Sequence, residues 1–189
     1  MFLILCGKSC SGKDSILKEI VKMGYKPIVS VTSRPIREGE TNGIEYEFVS
    51  RELFESFIKA DRLIEYRTYN TLVNGVEDTW YYGLLKDNLD VSDDHVVILD
   101  LNGAKSFMDY YGRSRCFCVY VDAPDEIRTI RAMQRGSFDE TEWNRRMAAD
   151  TEDFAQGLVD STVNYKVLNT GDLMKTVVAI TRGFNWNFT

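Results

Sequence analysis

Gly7-Lys8-Ser9-Cys10-Ser11-Gly12-Lys13-Asp14 stands between an apolar run, Phe2 to Cys6, and a stretch from Ser15 to Met23. The run reads as a buried strand. The stretch carries Ile16, Leu17, Ile20 and Val21 at helical spacing and reads as an amphipathic helix. G-x-x-x-x-G-K between a strand and a helix is the sequence form of a phosphate-binding loop. Its glycines let the backbone approach an anion closely, its N–H groups point inward, and the helix N-terminus lies beneath. Residues 7 to 14 are therefore the candidate cradle: Gly7, Lys8, Ser9, Cys10, Ser11, Gly12, Lys13 and Asp14. Lys13 is expected to reach the β- and γ-phosphates, with Lys8 adding a second positive charge. Asp14 stands where a serine or threonine that ligates Mg2+ is usual. A carboxylate there is itself a candidate Mg2+ ligand and repels phosphate unless a metal intervenes, so strict metal dependence is expected.

Working outward, short apolar runs alternate with helical patterns. Val96 to Leu99 ends in Asp100, Cys116 to Val121 ends in Asp122, and Tyr165 to Leu168 ends in Asn169. Asp125 to Gln134 and Asp172 to Thr181 read as helices. Continuous apolar strands separated by helices indicate an α/β fold: a parallel sheet covered on both faces, in three layers. Asp100, the acid ending a buried strand, is a second candidate Mg2+ ligand.

Residues 33–90 differ. Glu45, Glu47, Glu65 and Arg67 interleave with Tyr46, Phe48, Tyr66 and Tyr69, which suggests half-exposed antiparallel strands. Ser50 is placed to cap a helix through Lys59, with Leu53, Phe54, Phe57 and Ile58 as its apolar face. The expected organisation is a core from 1–32, 91–124 and 143–189, with 33–90 as a small α/β insertion.

The chain has 189 residues, which suits one domain with an insertion, and its net charge of −6 argues against a broad nucleic-acid surface. There are four cysteines, Cys6, Cys10, Cys116 and Cys118, at spacings of neither a secreted framework nor a zinc site. Buried, reduced thiols in a cytoplasmic protein are expected. A single histidine, His95, excludes a histidine triad; it reads as structural. No basic leader precedes Phe2, and no apolar run approaches the ~20 residues that cross a bilayer, so no membrane partner is expected.

The most telling segment is Ser30-Val31-Thr32-Ser33-Arg34-Pro35-Ile36-Arg37-Glu38-Gly39-Glu40. Two arginines so close can offer two guanidinium forks to one phosphate. Asn42-Gly43-Ile44-Glu45-Tyr46-Glu47-Phe48-Val49-Ser50 follows, then Leu63-Ile64-Glu65-Tyr66 and Tyr81-Tyr82-Gly83. In this order, with the phosphate loop ahead of them, these elements resemble guanylate kinase from residue 3 to about 170.

The resemblance implies a P-loop nucleoside monophosphate kinase with a core, an acceptor-binding insertion and a helical lid at 125–142. It implies phosphoryl transfer from ATP to GMP or dGMP with Mg2+, in a monomer or homodimer that binds small nucleotides. It assigns Arg34, Arg37, Tyr46 and Tyr82 to the acceptor phosphate. It assigns Glu65 to guanine N1–H and the N2 amino group, which adenine does not offer as donors. Asp100 or Asn102 would also contact the base.

Among the arginines of 125–153, the resemblance gives Arg131, Arg135 and Arg146 to the transferring phosphoryl group, with Gly136 and Ser137 as a hinge. Arg128 and Arg145 read instead as ion pairs of a helix surface. Asn169 would contact adenine. Three departures stand out: Leu84 where serine or threonine follows Y-Y-G, an expanded loop at 71–79, and the shortened run Asp100-Leu101-Asn102-Gly103. They keep open a kinase for another (deoxy)nucleoside monophosphate. A non-catalytic guanylate-kinase-like binding module is the alternative from another class.

Overall fold

The computed structural model describes residues 1–73, 76–86, 89, 92–134 and 138–188, and of 71–73, 76 and 77 the backbone only. The chain divides into two compact units, Met1–Pro27 with Val91–Thr189, and Ile28–Asp90.

The first unit is a five-stranded sheet in the order β2-β7-β1-β8-β9, every pair parallel. Its strands are β1 (Phe2–Cys6), β2 (Lys26–Pro27), β7 (His95–Ile98), β8 (Cys116–Asp122) and β9 (Tyr165–Leu168). The central strand β1 is buried along its whole length, as a sheet covered on both faces demands. Its side chains alternate between faces. Leu3 and Leu5 pack with Ile16 and Ile20 of α1 (Lys13–Lys22) and with Val177, Ile180 and Phe184 of α7 (Leu173–Phe188). On the other face Phe2 meets Phe107 of α3 (Leu101–Tyr111) edge-on, ring centres 5.2 Å apart. The helices α4 (Asp125–Met133), α5 (Glu140–Asp153) and α6 (Gln156–Thr162) lie between β8 and β9 in the chain. All four cysteines are free and buried.

Strand β2 was not foreseen. It is two residues long, and Pro27 is tolerated because β2 is an edge. α7 runs to Phe188, past the expected end near Thr181, because Ile180, Thr181 and Phe184 continue its buried face. Of the aromatic residues in this tail, Phe184 is buried, whereas Trp186 is 86% exposed.

The second unit is a four-stranded sheet, β4-β3-β6-β5. β5 (Leu63–Val73) and β6 (Val76–Leu85) form a long antiparallel hairpin. β3 (Val31–Thr32) pairs antiparallel with β6 and parallel with β4 (Glu47–Phe48). The alternation around Tyr46 thus yields a two-residue parallel strand rather than an antiparallel one. Ser50 caps α2 (Arg51–Lys59) as expected, its hydroxyl accepting from Leu53 N at 3.2 Å. Phe54 and Phe57 form a core with Val31 and Leu63, while Leu53 turns outward at 45% exposure. No helix among the described residues is long and apolar enough to cross a membrane.

Phe54 is fully buried in the cluster it forms with Val31, Phe57 and Leu63. Phe54→Ala is expected to cost about 3–5 kcal/mol. Urea unfolding with hydrogen exchange should localise the loss to Ile28–Asp90.

Candidate active site

The loop leaves β1 at the carboxyl end of the central strand, with β7 and β8 on either side. Crevices at such points are the usual ligand sites of open α/β sheets. Two glycines are sterically required. A Cβ on Gly7 would stand 2.3 Å from Val121 O; one on Gly12 would stand 2.4 Å from Asn169 Nδ2, where φ is +101°. Gly12 is the N-cap of α1 and supplies no side-chain acceptor, so no side-chain cap covers the helix N-terminus. Lys13 folds back onto the loop, Nζ donating to Gly7 O at 2.7 Å and Lys8 O at 3.0 Å. Burial pulls its pKa below the usual lysine value, against the opposing pull of Asp14 and Asp150.

The loop's carbonyls are taken up as well. Arg131 donates from Nη1 to Ser11 O at 3.0 Å and Cys10 O at 3.3 Å, and from Nη2 to Asn169 O at 3.2 Å. Asn169 is 3% exposed and its amide donates to Ser11 O at 2.9 Å. The structure therefore places both side chains as braces of the loop. Asn169, expected beside adenine, donates from its side-chain amide to the loop. Ser11 Oγ is buried with no hydrogen-bond partner among the described residues.

Asp100 ends β7's exit and caps α3, its Oδ1 accepting from Gly103 N at 2.8 Å. Asn102 is exposed in the first turn of α3. Asp100 and Lys13 both act electrostatically on the Cys6 thiol, which burial and its neighbour Cys118 push well up. Carboxylate and ammonium thus gather at the end of β1. Asp14 is exposed in the first turn of α1.

Arg146 pairs with Glu142 one helical turn back, Nε to Oε1 at 2.8 Å. Arg145 grips the same carboxylate through Nε and Nη2, the exposed ion pair expected of it. Arg128 differs from that expectation. It is ion-paired but 1% exposed, turned inward against Ser9 and Asp150 rather than lying on a helix surface. Arg135, Gly136 and Ser137 lie outside the described residues.

In the second unit, Arg34 is 3% exposed. Its guanidinium lies 5.6 Å from the Tyr46 ring and 5.4 Å from Phe48. Tyr46 and Tyr82 meet edge-on at 5.7 Å, and Tyr69 meets Tyr82 at 5.5 Å. Arg34, Tyr46 and Tyr82 are thus brought together. Arg34 Nη2 donates to Glu40 Oε1 at 2.8 Å, and the Arg37 backbone N–H donates to Glu40 Oε2 at 2.9 Å. Burial is the largest single influence and works against the Arg34 charge, but the hydrogen bond to Glu40 and the charges of Tyr82, Glu40 and Tyr46 together outweigh it and raise the pKa. Glu40 was missed at sequence level, although it sits within the quoted segment. Glu65 lies at a register irregularity of β5, opposite Leu84. Gly83 beside it has no room for a Cβ, with Glu65 O at 2.9 Å and Phe54 Cζ at 2.9 Å. Arg67 faces Tyr82 across the hairpin.

The sequence model of the family described as guanylate kinase matches residues 1–180. The chain belongs to the guanylate kinase family. A crystal structure of guanylate kinase from Anaplasma phagocytophilum has the same fold. It is 21% identical, the match covers 98% of this chain and 85% of that one, and the TM-score is 0.68. Membership of the guanylate kinase family supports a nucleoside monophosphate kinase with ATP-dependent phosphoryl transfer.

Members of this family are associated with Mg2+, and the donor chemistry here fits it. Asp14 and Asp100 offer hard carboxylate oxygens. Among the described residues no group of three or more His, Cys, Asp or Glu converges.

Glu142 carries a prediction of its own. Its bond to Arg145, opposed by partial burial and aided by Arg146, moves its pKa from the usual 4.5 down to about 2. A depressed acid stabilises the fold above its unfolded pKa and loses that contribution as pH falls. Wild-type stability should therefore decline between pH 4.5 and about 2 more steeply than that of Glu142→Gln. Thermal unfolding across that range reads the difference.

Proposed function

We propose that the protein transfers the γ-phosphoryl group of ATP to GMP or dGMP. The observation that carries the reading is that each compact unit presents its own anion-binding set. In one, a backbone loop leads into a helix N-terminus whose N-cap, Gly12, offers no side-chain cap, and Lys13 donates back to the loop carbonyls. In the other, the Arg34 guanidinium is buried between aromatic rings and held by an acidic side chain. A reaction between two phosphorylated nucleotides needs two such sets.

In this reading the loop N–H groups and Lys13 hold the donor phosphates, Lys13 exchanging its loop carbonyls for phosphate oxygens. Arg34, Arg37, Tyr46 and Tyr82 hold the acceptor phosphate, and Glu40 yields part of its hold on Arg34. Glu65 accepts from guanine N1–H and N2. Arg131, Arg135 and Arg146 neutralise the transferring group. Asp14 and Asp100 would hold Mg2+, which when bound offsets charge on the β- and γ-phosphates. Positioning and charge neutralisation suffice for this chemistry, so a single histidine is no obstacle.

Leu84 favours a second reading, in which the acceptor is another deoxynucleoside monophosphate. It is 1% exposed and opposite Glu65, and it brings no hydroxyl to the base.

Coupled ADP-release assays with GMP, dGMP, AMP, CMP, UMP and dTMP distinguish the two. Turnover should need Mg2+ and stop on chelation, and guanine nucleotides should lead the panel. Lys13→Ala should lower kcat by about 10²-fold or more. Glu65→Ala should raise the KM for GMP by about tenfold or more through two lost charge-assisted hydrogen bonds. A different leading base would establish the second reading. Nucleotide binding without turnover would establish a binding module.

A further inference from the structure

The most deeply buried charge pair among the described residues lies against the phosphate loop and has no part in the assignments above. Arg128 of α4 is 1% exposed and Asp150 of α5 is 7% exposed. Both carboxylate oxygens of Asp150 accept from Ser9 N, at 3.1 and 2.9 Å, and Oδ1 accepts from Ser9 Oγ at 3.2 Å. Arg128 Nε donates to Ser9 O at 2.8 Å. Its Nη2 pairs with Asp150 and its Nη1 with Asp125 at 2.7 Å, while the guanidinium lies 5.7 Å from the Trp143 ring. Both backbone polar groups of Ser9 are thus gripped by opposite charges from two helices.

The next residue explains why such a grip is needed. Cys10 has φ +59°, a left-handed conformation that a residue with a Cβ adopts only at a cost. Conformations of this kind persist where the surroundings over-determine them. Ser9 is held on the near side by Asp150 and Arg128. On the far side Arg131 holds the Cys10 and Ser11 carbonyls, and the Asn169 amide holds Ser11 O. The Cys10 side chain packs with Ala132, Trp143 and Met147. Stability alone does not call for charges here, because a buried ion pair is often replaced by apolar residues without loss. An apolar pair would leave Ser9 N and Ser9 O unheld.

We infer that Arg128 and Asp150 are positioning residues for the donor site: their clamp on Ser9 keeps Cys10 left-handed and so keeps the loop's following N–H groups shaped for phosphate. The inference rests on the reading of this loop as the ATP site. Neither residue touches the donor; both act through Ser9.

The test is the double variant Arg128→Met/Asp150→Leu, which removes both charges together and leaves neither buried alone. It should fold, with a thermal midpoint near that of the wild type by circular dichroism. Its KM for ATP should rise by about tenfold or more, as small displacements of positioning groups do. Its KM for the acceptor should not change. Adding Cys10→Gly, which accepts positive φ without strain, should bring the ATP KM back toward wild type. An unchanged ATP KM in the folded double variant overturns the inference, and so does a rise that Cys10→Gly leaves untouched. If the double variant does not fold, Asp150→Asn is read by the same split. Calorimetry with ATP separates the two possible failures. A wild type that binds no ATP overturns the reading of the loop itself, whereas equal binding by wild type and variant overturns the clamp alone.

Discussion

Val121 O and the Asn169 amide press so closely on Gly7 and Gly12 that neither position has room for a methyl group. This wedging is what turns six residues of loop into a rigid object. The ends of β1, β8 and β9 meet there, and every contact that shapes the loop comes from a residue at or beyond one of those ends. Asn169 reaches it from β9, and Arg128 and Arg131 reach it from the helix that follows β8. The parallel sheet matters to the chemistry because it delivers these chain ends to one place. Packing along Leu3, Leu5, Val119 and Val121 holds them there.

In the proposed reading, the two units hold a phosphate by different means. The loop relies on the backbone, and its side chains mostly serve to shape it. The insertion relies on side chains, and its backbone serves to aim them. Arg34 shows how far that goes. Thr32 Oγ1 accepts from its N–H at 3.1 Å and donates to Tyr81 O at 2.8 Å, so the residue's starting point is tied to β6 before its guanidinium meets any ring. A cation buried this deeply needs an anion, and Glu40 provides one.

Much of this could be read from the amino-acid order because it depends on local pattern. Phe2 to Cys6, Cys116 to Val121 and Tyr165 to Leu168 read as strands between turns, and each is a strand of the five-stranded sheet within a residue of its expected ends, the first two buried and the last an exposed edge. The helix capped by Ser50 likewise carries its own signal. What stayed hidden depends on distance. Arg128 and Asp150 are 22 positions apart on different helices, so neither periodicity nor motif pairs them. The bond from the Asn169 amide to Ser11 O is hidden for the same reason, since the two residues stand 158 positions apart. Strand β2 escaped because two residues carry no period. The parallel pairing of β3 with β4 depends on how residues 33–46 return, and turn chemistry there does not specify direction.

The shortness of β2 has a further consequence. Parallel sheets expose a row of unpaired backbone groups at each outer strand, and a second chain can add to such a row. On one side this sheet ends in a strand of only two residues, one of them Pro27, which has no N–H to offer. On the other it ends in β9, four residues long, whose Lys166 reaches out to Asp160 and sets a charge along the edge. The same sheet that gathers the glycine loop at its centre is thus blunted at both margins, and its interior can stay strongly apolar without inviting a neighbour to extend it.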